Sequence, residues 1–200
     1  MPRTRRARSS RPSRPLTRQH VDNAALRYLG RFASSAENLR RVLLRRLIRA
    51  GHRPDDPVYR IASRWIDETV ARLCANSALD DGKYAEAQAI SLSRRGVAVR
   101  NIAVRLAAKG IAAELIEAAL ARFQNQGGNA DLKAAARFAR RRRLGPCRAE
   151  AERKATRQKD IAALARQGFS HDIARRIVDA ADRDALDSIA DECRTDEFSE

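Results

Sequence analysis

The chemistry that this sequence offers is the binding of anions by arginine. Two clusters of basic residues stand out: Arg94, Arg95, Arg100, Arg105 and Lys109 in the middle of the chain, and Arg140, Arg141, Arg142 and Arg143 further on. No aspartate or glutamate occurs between Ser91 and Ala113 to neutralise the first cluster. A guanidinium group presents several donors in one plane, and it pairs well with phosphate oxygens. The two clusters therefore predict contact with nucleic acid or with another polyanion.

A second interpretation of both clusters stays open, because exposed charges often contact water alone. The absence of acidic partners favours a binding role for the central cluster. The four consecutive arginines at 140–143 extend over more than one helical turn, so at least two of them must point away from the core. We therefore expect a second contact at residues 140–143.

Residues suited to catalysis are scarce. The sequence has no Gly-rich phosphate loop, no metalloprotease motif and no nucleophile elbow, and its carboxylates cluster only near the C-terminal end. Cys74, Cys147 and Cys193 are scattered singly, without the spacing of zinc ligands or of a disulfide framework. We expect no enzymatic activity, no metal and no cofactor.

The overall charge agrees with a polyanionic partner. The formal net charge is +16 at pH 7, and a field of this sign attracts nucleic acid, acidic proteins or anionic surfaces. No stretch approaches the ~20 apolar residues that a membrane-spanning helix needs, and the arginine-rich N-terminal segment lacks the apolar core of a secretory signal. We expect a cytoplasmic protein that makes no contact with a membrane.

The apolar residues are spaced as they are in helices. Val99, Ile102, Ala103 and Leu106 fall at i, i+3, i+4 and i+7, which gathers them on one helical face. Hydrophobic residues make up 44% of the chain and aromatic residues only 4%, so the core must consist of Leu, Ile, Val and Ala. Few stretches alternate apolar and polar residues as strands do. The sequence therefore predicts an all-α protein.

The helical pattern repeats along the chain. Gly51, Gly110 and Gly168 each close a predicted helix at nearly equal spacing, and a leucine lies four residues before each of them. Chance similarity within an Ala- and Leu-rich chain is the alternative explanation. We predict three tandem three-helix repeats, at residues 21–79, 80–126 and 129–181, which form an elongated array.

The two ends differ from the repeats in charge. Residues 1–20 contain many arginines and no acidic residue, which predicts a disordered basic arm. Composition leaves open whether this arm contacts nucleic acid or only adds solubility. Residues 182–200 are predicted to form an acidic tail, frayed beyond an optional short helix at 185–193. Between the ends, Asp22 is expected to cap the first helix, and Ser34 with Glu37 is expected to form a capping box for the second.

Several motifs of the middle segment occur in a fixed order. Residues 79–84 (LDDGKY) precede residues 93–96 (SRRG), and Ile102, Leu106 and residues 109–111 (KGI) follow. Together with further matches over roughly residues 22–180, this combination resembles the central signature of the RecX family, which regulates the bacterial recombinase RecA. The chain departs from the family pattern at residues 96–99, where Gly-x-Gly-Pro is common, and at Arg105, where an acidic residue is common.

The resemblance implies a function and a set of partners. It implies a modulator that lies along the helical groove of the RecA–DNA filament, inhibits the ATPase, recombinase and coprotease activities of RecA, and so modulates recombination and the SOS response. The implied partners are the RecA filament and the single-stranded DNA within it, with free DNA as a further candidate. The competing interpretation is a general nucleic-acid-binding protein that uses the same arginines on free single- or double-stranded nucleic acid.

Overall fold

The computed structural model describes residues 16–125 and 130–191, and the regular secondary structure in these ranges is helical throughout. The predicted all-α class is therefore confirmed. In chain order the helices are α1 (Arg18–Leu29), α2 (Ala36–Arg49), α3 (Pro57–Ala75), α4 (Asp81–Arg94), α5 (Val99–Ala108), α6 (Ala113–Asn125), α7 (Ala130–Arg142), α8 (Glu150–Arg166), α9 (His171–Val178) and α10 (Arg183–Asp191), with a short 3-10 turn at Gly145–Cys147.

The chain divides into two compact units. The first consists of Met1–Ala33 and Leu39–Ala78, and the second consists of Ser34–Asn38 and Leu79–Glu200. The second unit thus contains the helices of both the second and the third predicted repeats. The boundaries of the three repeats stay a prediction, as does the basic arm, most of which lies outside the described residues.

The three glycines that were predicted to close helices do so with the same hydrogen bond and the same backbone conformation. Gly110 follows α5 with a φ of 77°, a conformation in which a side chain would be strained. The next residue, Ile111, donates its backbone N–H to the carbonyl of Leu106 over 3.3 Å, which is the bond of a Schellman motif. The same ending closes α2 through Gly51, His52 and Leu47, and it closes α8 through Gly168, Phe169 and Leu164.

The first helix begins earlier than the sequence suggested. Thr17 caps α1 and its side chain accepts a hydrogen bond from the backbone of His20. The predicted cap at Asp22 is wrong, because Asp22 lies inside α1 and accepts hydrogen bonds from the Thr69 hydroxyl (2.7 Å) and from Arg72 (2.6 Å). The Thr69 hydroxyl, and after it Arg72, hold the pKa of Asp22 below its ordinary value. Asp22 therefore links α1 to α3 through hydrogen bonds.

The buried face of α1 consists of small side chains. Leu26, on the other side of this helix, and Phe32, just after it, are 58% and 55% exposed. Val21, Ala24 and Ala25 are buried instead. The packing of α3 against α1 selects this smaller face, and small side chains allow the two helices to approach closely.

Ser35 rather than Ser34 caps α2. The Ser35 hydroxyl accepts a hydrogen bond from the backbone N–H of Asn38 (3.2 Å) and donates one to the carbonyl of Lys109 (2.6 Å). The backbone N–H of Ala36, the next residue, donates to the carboxylate of Asp81 over 2.8 Å. Both serines suit a cap by residue type, and the tertiary contact with Lys109 selects the second.

The second unit holds two apolar clusters. One lies among α4, α5 and α6, and the other lies among α7, α8, α9 and α10. The residues with no measurable exposure in these clusters are Ala85, Ala89 and Ile102 in the first, and Ala98, Ala135, Ala136, Ala139, Leu164, Ala174, Ile177 and Leu186 in the second. Most of them are alanines, so the helix backbones pack closely, as the composition predicted.

The acidic segment after α9 contributes to this core. Helix α10 places Leu186 and Ala190 in the second cluster, where Leu186 is fully buried and Ala190 is 8% exposed. Residues 183–191 are therefore part of the fold and not a tail outside it, and residues 192–200 lie outside the described part. The spacing of Leu186, Ile189 and Ala190 is helical, but the many aspartates around them concealed this pattern in the sequence.

A buried ion pair fixes the turn between α7 and α8. Asp160 is 2% exposed. It accepts two hydrogen bonds of 2.9 Å from the guanidinium of Arg148, and one of 2.9 Å from the backbone N–H of Gly145. A buried carboxylate without such partners would cost several kcal/mol. The position of this turn therefore depends on Asp160.

The burial of Leu186 gives a test of the place of α10 in the fold. We expect Leu186→Ala to lower the free energy of unfolding by about 2–5 kcal/mol, because it removes a buried side chain and leaves a cavity. Ser188→Ala, on the exposed face of the same helix, is the control and should change stability by less than about 0.5 kcal/mol. Urea denaturation measures both. Equal stability of the two variants would show that α10 does not pack on the core.

Candidate nucleic-acid interface

The turn between α4 and α5 carries the central basic cluster and is held tightly against α7. Gly96 has a φ of 73°. A Cβ atom at this position would lie 2.9 Å from both the Cβ atom and the backbone nitrogen of Phe138. Glycine is therefore required here both by the turn and by the close approach of α7. In this chain the turn therefore forms at residues 96–99, where the sequence departs from the family pattern.

A carboxylate from α7 holds the start of α5. Ala98 occupies the cap position of α5 and provides no side-chain hydrogen bond. Asp131 provides the missing hydrogen bond, because its carboxylate accepts the backbone N–H of Val99 over 2.8 Å. Negative charge at a helix N-terminus is favourable, and the bond satisfies an amide that the helix itself cannot pair. Asp131 therefore sets the position of α5, and with it the position of the arginines on α5.

Burial disfavours the charged form of the Asp131 carboxyl group. Desolvation raises the pKa of this carboxyl above its ordinary value of 3.8, and the bond from Val99 offsets part of the shift. The folded protein thus binds a proton at this site more readily than the unfolded chain does. The stability that this site contributes is largest below pH 3.8 and falls as the pH rises through the folded pKa.

The central arginines extend into solvent on α4 and α5. Arg94, Arg100 and Arg105 are exposed, and none of them has a hydrogen-bond or ion-pair partner among residues 16–125 and 130–191. Arg95 is also exposed, but its guanidinium bends back to the carbonyl and hydroxyl of Ser91, at 3.3 and 3.4 Å. Three of the four arginines are thus available to an anionic partner.

Lys109 differs from these arginines. Its ammonium group donates to the side chain of Asn38 over 3.2 Å, and its carbonyl accepts the Ser35 hydroxyl. Lys109 therefore makes contacts within the protein through both its side chain and its backbone carbonyl. Its contact with a partner stays a prediction.

The four arginines at 140–143 have three different environments. Arg140 forms an ion pair with Asp187 of α10. The guanidinium of Arg141 lies over the ring of Phe138, 5.7 Å from its centre. Arg142 and Arg143 are exposed without a partner in the described part of the chain. The prediction of a contact at this cluster therefore depends mainly on Arg142 and Arg143.

Arg143 has a backbone conformation that is rare for a side chain of its size. Its φ is 53°, and the following residue, Leu144, donates its N–H to the carbonyl of Ala139 over 2.9 Å. This is the helix ending in which glycine is usual. Replacing Arg143 with glycine would therefore remove its charge without a conformational cost.

The fold brings the two basic clusters together. Gly96, next to Arg95, lies against Phe138, which is one helical turn from Arg142. A Cβ atom at Gly168, at the end of α8, would lie 2.7 Å from the side chain of Asn101, next to Arg100. The α4–α5 turn and the C-terminal ends of α7 and α8 are therefore neighbours. Sequence spacing gave no sign of this arrangement.

Further basic residues in both units did not stand out in the sequence. In the second unit Arg166 is exposed at the end of α8, and its place just before the closing Gly168 was a usable signal. In the first unit Arg45 and Arg49 are exposed on α2. Their spacing of four residues puts them on one helical face, which would have identified them.

Neither a metal-binding cluster nor a membrane-spanning helix is found among the described residues. Residues 16–125 and 130–191 contain no group of three or more His, Cys, Asp or Glu side chains that could hold a metal ion. In the same ranges, no helix has the length and apolar character needed to cross a membrane.

Comparisons with known proteins agree on one family. Residues 80–120 match the family model described as RecX, second three-helix domain. Over 185 residues the chain is 37% identical to the regulatory protein RecX of Myxococcus xanthus, and the match covers 90% of this chain and 95% of that protein. It is 34% identical over 164 residues to the regulatory protein RecX of Halorhodospira halophila, with 82% and 89% covered.

A solved structure has a similar fold. The crystal structure of RecX from Lactobacillus salivarius superposes with a TM-score of 0.52 at 20% sequence identity, over 87% of this chain and 96% of that chain. At this level of identity the likeness concerns the fold alone, and it agrees with the helical architecture described above.

The different environments of Arg140–Arg143 generate a test with two matched double variants. Arg142→Ala combined with Arg143→Gly removes two unpaired charges. We expect the slope of log affinity for a single-stranded oligonucleotide against log salt to flatten by about 0.7 for each phosphate that these arginines neutralise in the wild type. Arg140→Ala combined with Asp187→Ala removes an ion pair and keeps the net charge, so its slope should equal that of the wild type. Identical slopes for all three proteins would mean that these arginines contact only water.

Proposed function

The chain belongs to the RecX family of regulatory proteins, and we propose that it acts on filaments of the recombinase RecA assembled on DNA. Bound there, it restrains ATP hydrolysis, strand exchange and the coprotease activity of RecA. The contacts come from the predicted residues of the second unit, chiefly Arg94, Arg100, Arg105, Arg142 and Arg143. Arg95, Lys109, Arg140 and Arg141 contribute less, because each of them already has a contact within the protein.

The observation that carries this proposal is the exposed face of α5. Arg100 and Arg105 lie on it without partners among the described residues, and no acidic residue between Ser91 and Ala113 neutralises them. Asp131 fixes the N-terminus of this helix, so the backbone that carries these arginines is positioned before a partner arrives. Little ordering of the backbone is then required on binding.

The same face has an apolar part, which favours a nucleoprotein over bare DNA. Val104 is 61% exposed and lies one turn after Arg100, and Ala107 and Ala108 follow on the exposed side. A phosphate backbone offers little for an exposed valine to contact. A protein surface beside DNA accommodates both the valine and the arginines. This mixed character supports a partner that presents protein and phosphate together.

Inhibition of RecA at low stoichiometry is the expected consequence. Wild-type protein should slow the DNA-dependent ATP hydrolysis of RecA at concentrations below that of RecA, because one molecule bound in a filament affects many subunits. A variant with Arg94, Arg95, Arg100 and Arg105 changed to Ala should stay folded, since Val99, Ile102 and Leu106 still hold α5. It should need about tenfold more protein for half inhibition, which corresponds to about 1.4 kcal/mol.

A second variant separates the two interpretations of the site. Val104→Ser keeps every charge, so it should bind bare single-stranded DNA like the wild type but inhibit preformed filaments less. A general DNA-binding protein would inhibit only when added before RecA, in proportion to the DNA that it covers. That result, with no effect of Val104→Ser, would replace the regulator proposal with the nucleic-acid-binding alternative.

A further inference from the structure

A groove of the second unit adjoins the contacts described so far and shares Arg142 with them. It lies between the C-terminal halves of α7 and α8 and has a volume of about 290 Å³. Apolar side chains form its floor and polar groups stand at its rim, and no acidic residue lines it. The lining residues are Phe138, Leu144, Ala163, Arg142, Arg166 and Gln167.

The charges at this groove are uncompensated. Neither Arg142 nor Arg166 has a hydrogen-bond or ion-pair partner in residues 16–125 and 130–191. Each ends its helix, where the helix dipole stabilises a cation. Two arginine side chains from two different helices therefore line one groove. An anionic group at this groove would gain hydrogen bonds from both.

The floor suits a flat apolar group. Phe138 and Leu144 are each 5% exposed and Ala163 is half-buried, so they form a firm surface with little polar character. The volume is just under the ~300 Å³ at which small-molecule sites begin. It admits a ring system of the size of one base, with the Gln167 amide at the rim to pair with polar atoms at the edge of the base.

We propose that this groove takes one unstacked base of a single-stranded nucleic acid, while Arg142 and Arg166 contact the phosphates on either side of it. The inference rests on the proposed contact with single-stranded DNA and gives that contact a defined place. A strand that follows Arg94 and Arg100 passes directly beside the groove, because Gly96 lies against Phe138 and Gly168 lies against Asn101. Backbone and base contacts then lie on one continuous path.

The test compares oligothymidylate with an abasic oligonucleotide of equal length and charge, by fluorescence anisotropy. Wild-type protein should bind the base-containing strand about tenfold more tightly, since stacking contributes about 1–3 kcal/mol per base. Ala163→Leu narrows the groove and keeps every charge, so it should bind the two strands about equally. Ala165→Leu, on the exposed side of α8, is the matched control and should keep the wild-type preference.

A second variant covers the case in which Ala163→Leu does not fold. Arg142→Met with Arg166→Met keeps the apolar stems and the floor, so it should weaken binding to both strands and retain the preference for bases. Equal binding of both strands by the wild type would overturn the proposal that the groove binds a base. The filament proposal would be unaffected, because phosphate contacts alone would be enough for binding to the filament. If the wild type binds neither strand, the proposal that the groove binds a base is also wrong. The ATP-hydrolysis assay then tests the filament proposal separately.

Discussion

The second unit depends on a simple interaction, a carboxylate at the start of one helix that accepts the first backbone amide of another. The carboxylate of Asp131 in α7 accepts the backbone N–H of Val99 in α5 over 2.8 Å. The carboxylate of Asp81 in α4 accepts the backbone N–H of Ala36 in α2 over the same distance. Neither α2 nor α5 can pair its own first amide. The two carboxylates satisfy these amides from outside, and in doing so they fix where each helix begins. For α5, this also fixes the position of the helix from which Arg100 and Arg105 extend.

Pairing within the protein decides which arginines can bind a partner. The chain has a net charge of +16, but charge alone does not identify a site. Asp187 neutralises Arg140 and Asp160 neutralises Arg148, whereas Arg94, Arg100 and Arg142 have no such partner in the described part of the chain. The unpaired arginines lie on elements that meet at Gly96 and Gly168. The proposed regulation of RecA and the proposed base-binding groove both depend on this junction.

Local patterns in the sequence were enough to predict the helical class and the helix endings at Gly51, Gly110 and Gly168. The Leu106–Gly110 spacing encodes a hydrogen bond that closes within a few residues, so it can be read from the chain directly. Long-range contacts could not be read in this way. The sequence does not reveal that Lys109 selects Ser35 over Ser34 as a cap, that Asp187 pairs with Arg140, or that Leu186 enters the core. Each of these outcomes depends on residues that only the tertiary fold brings together.

The most direct measurement concerns Asp131, with single-stranded DNA binding and amide hydrogen exchange at Val99 followed in two variants. Asp131→Asn and Asp131→Ala both remove a negative charge near the arginines, so electrostatics alone would strengthen binding in both. Only asparagine keeps an acceptor for the Val99 amide. If Asp131 positions α5 as described, Asp131→Ala will expose this amide to exchange and bind DNA less tightly than Asp131→Asn. Equal protection of Val99 and equally strengthened binding in both variants would contradict that role.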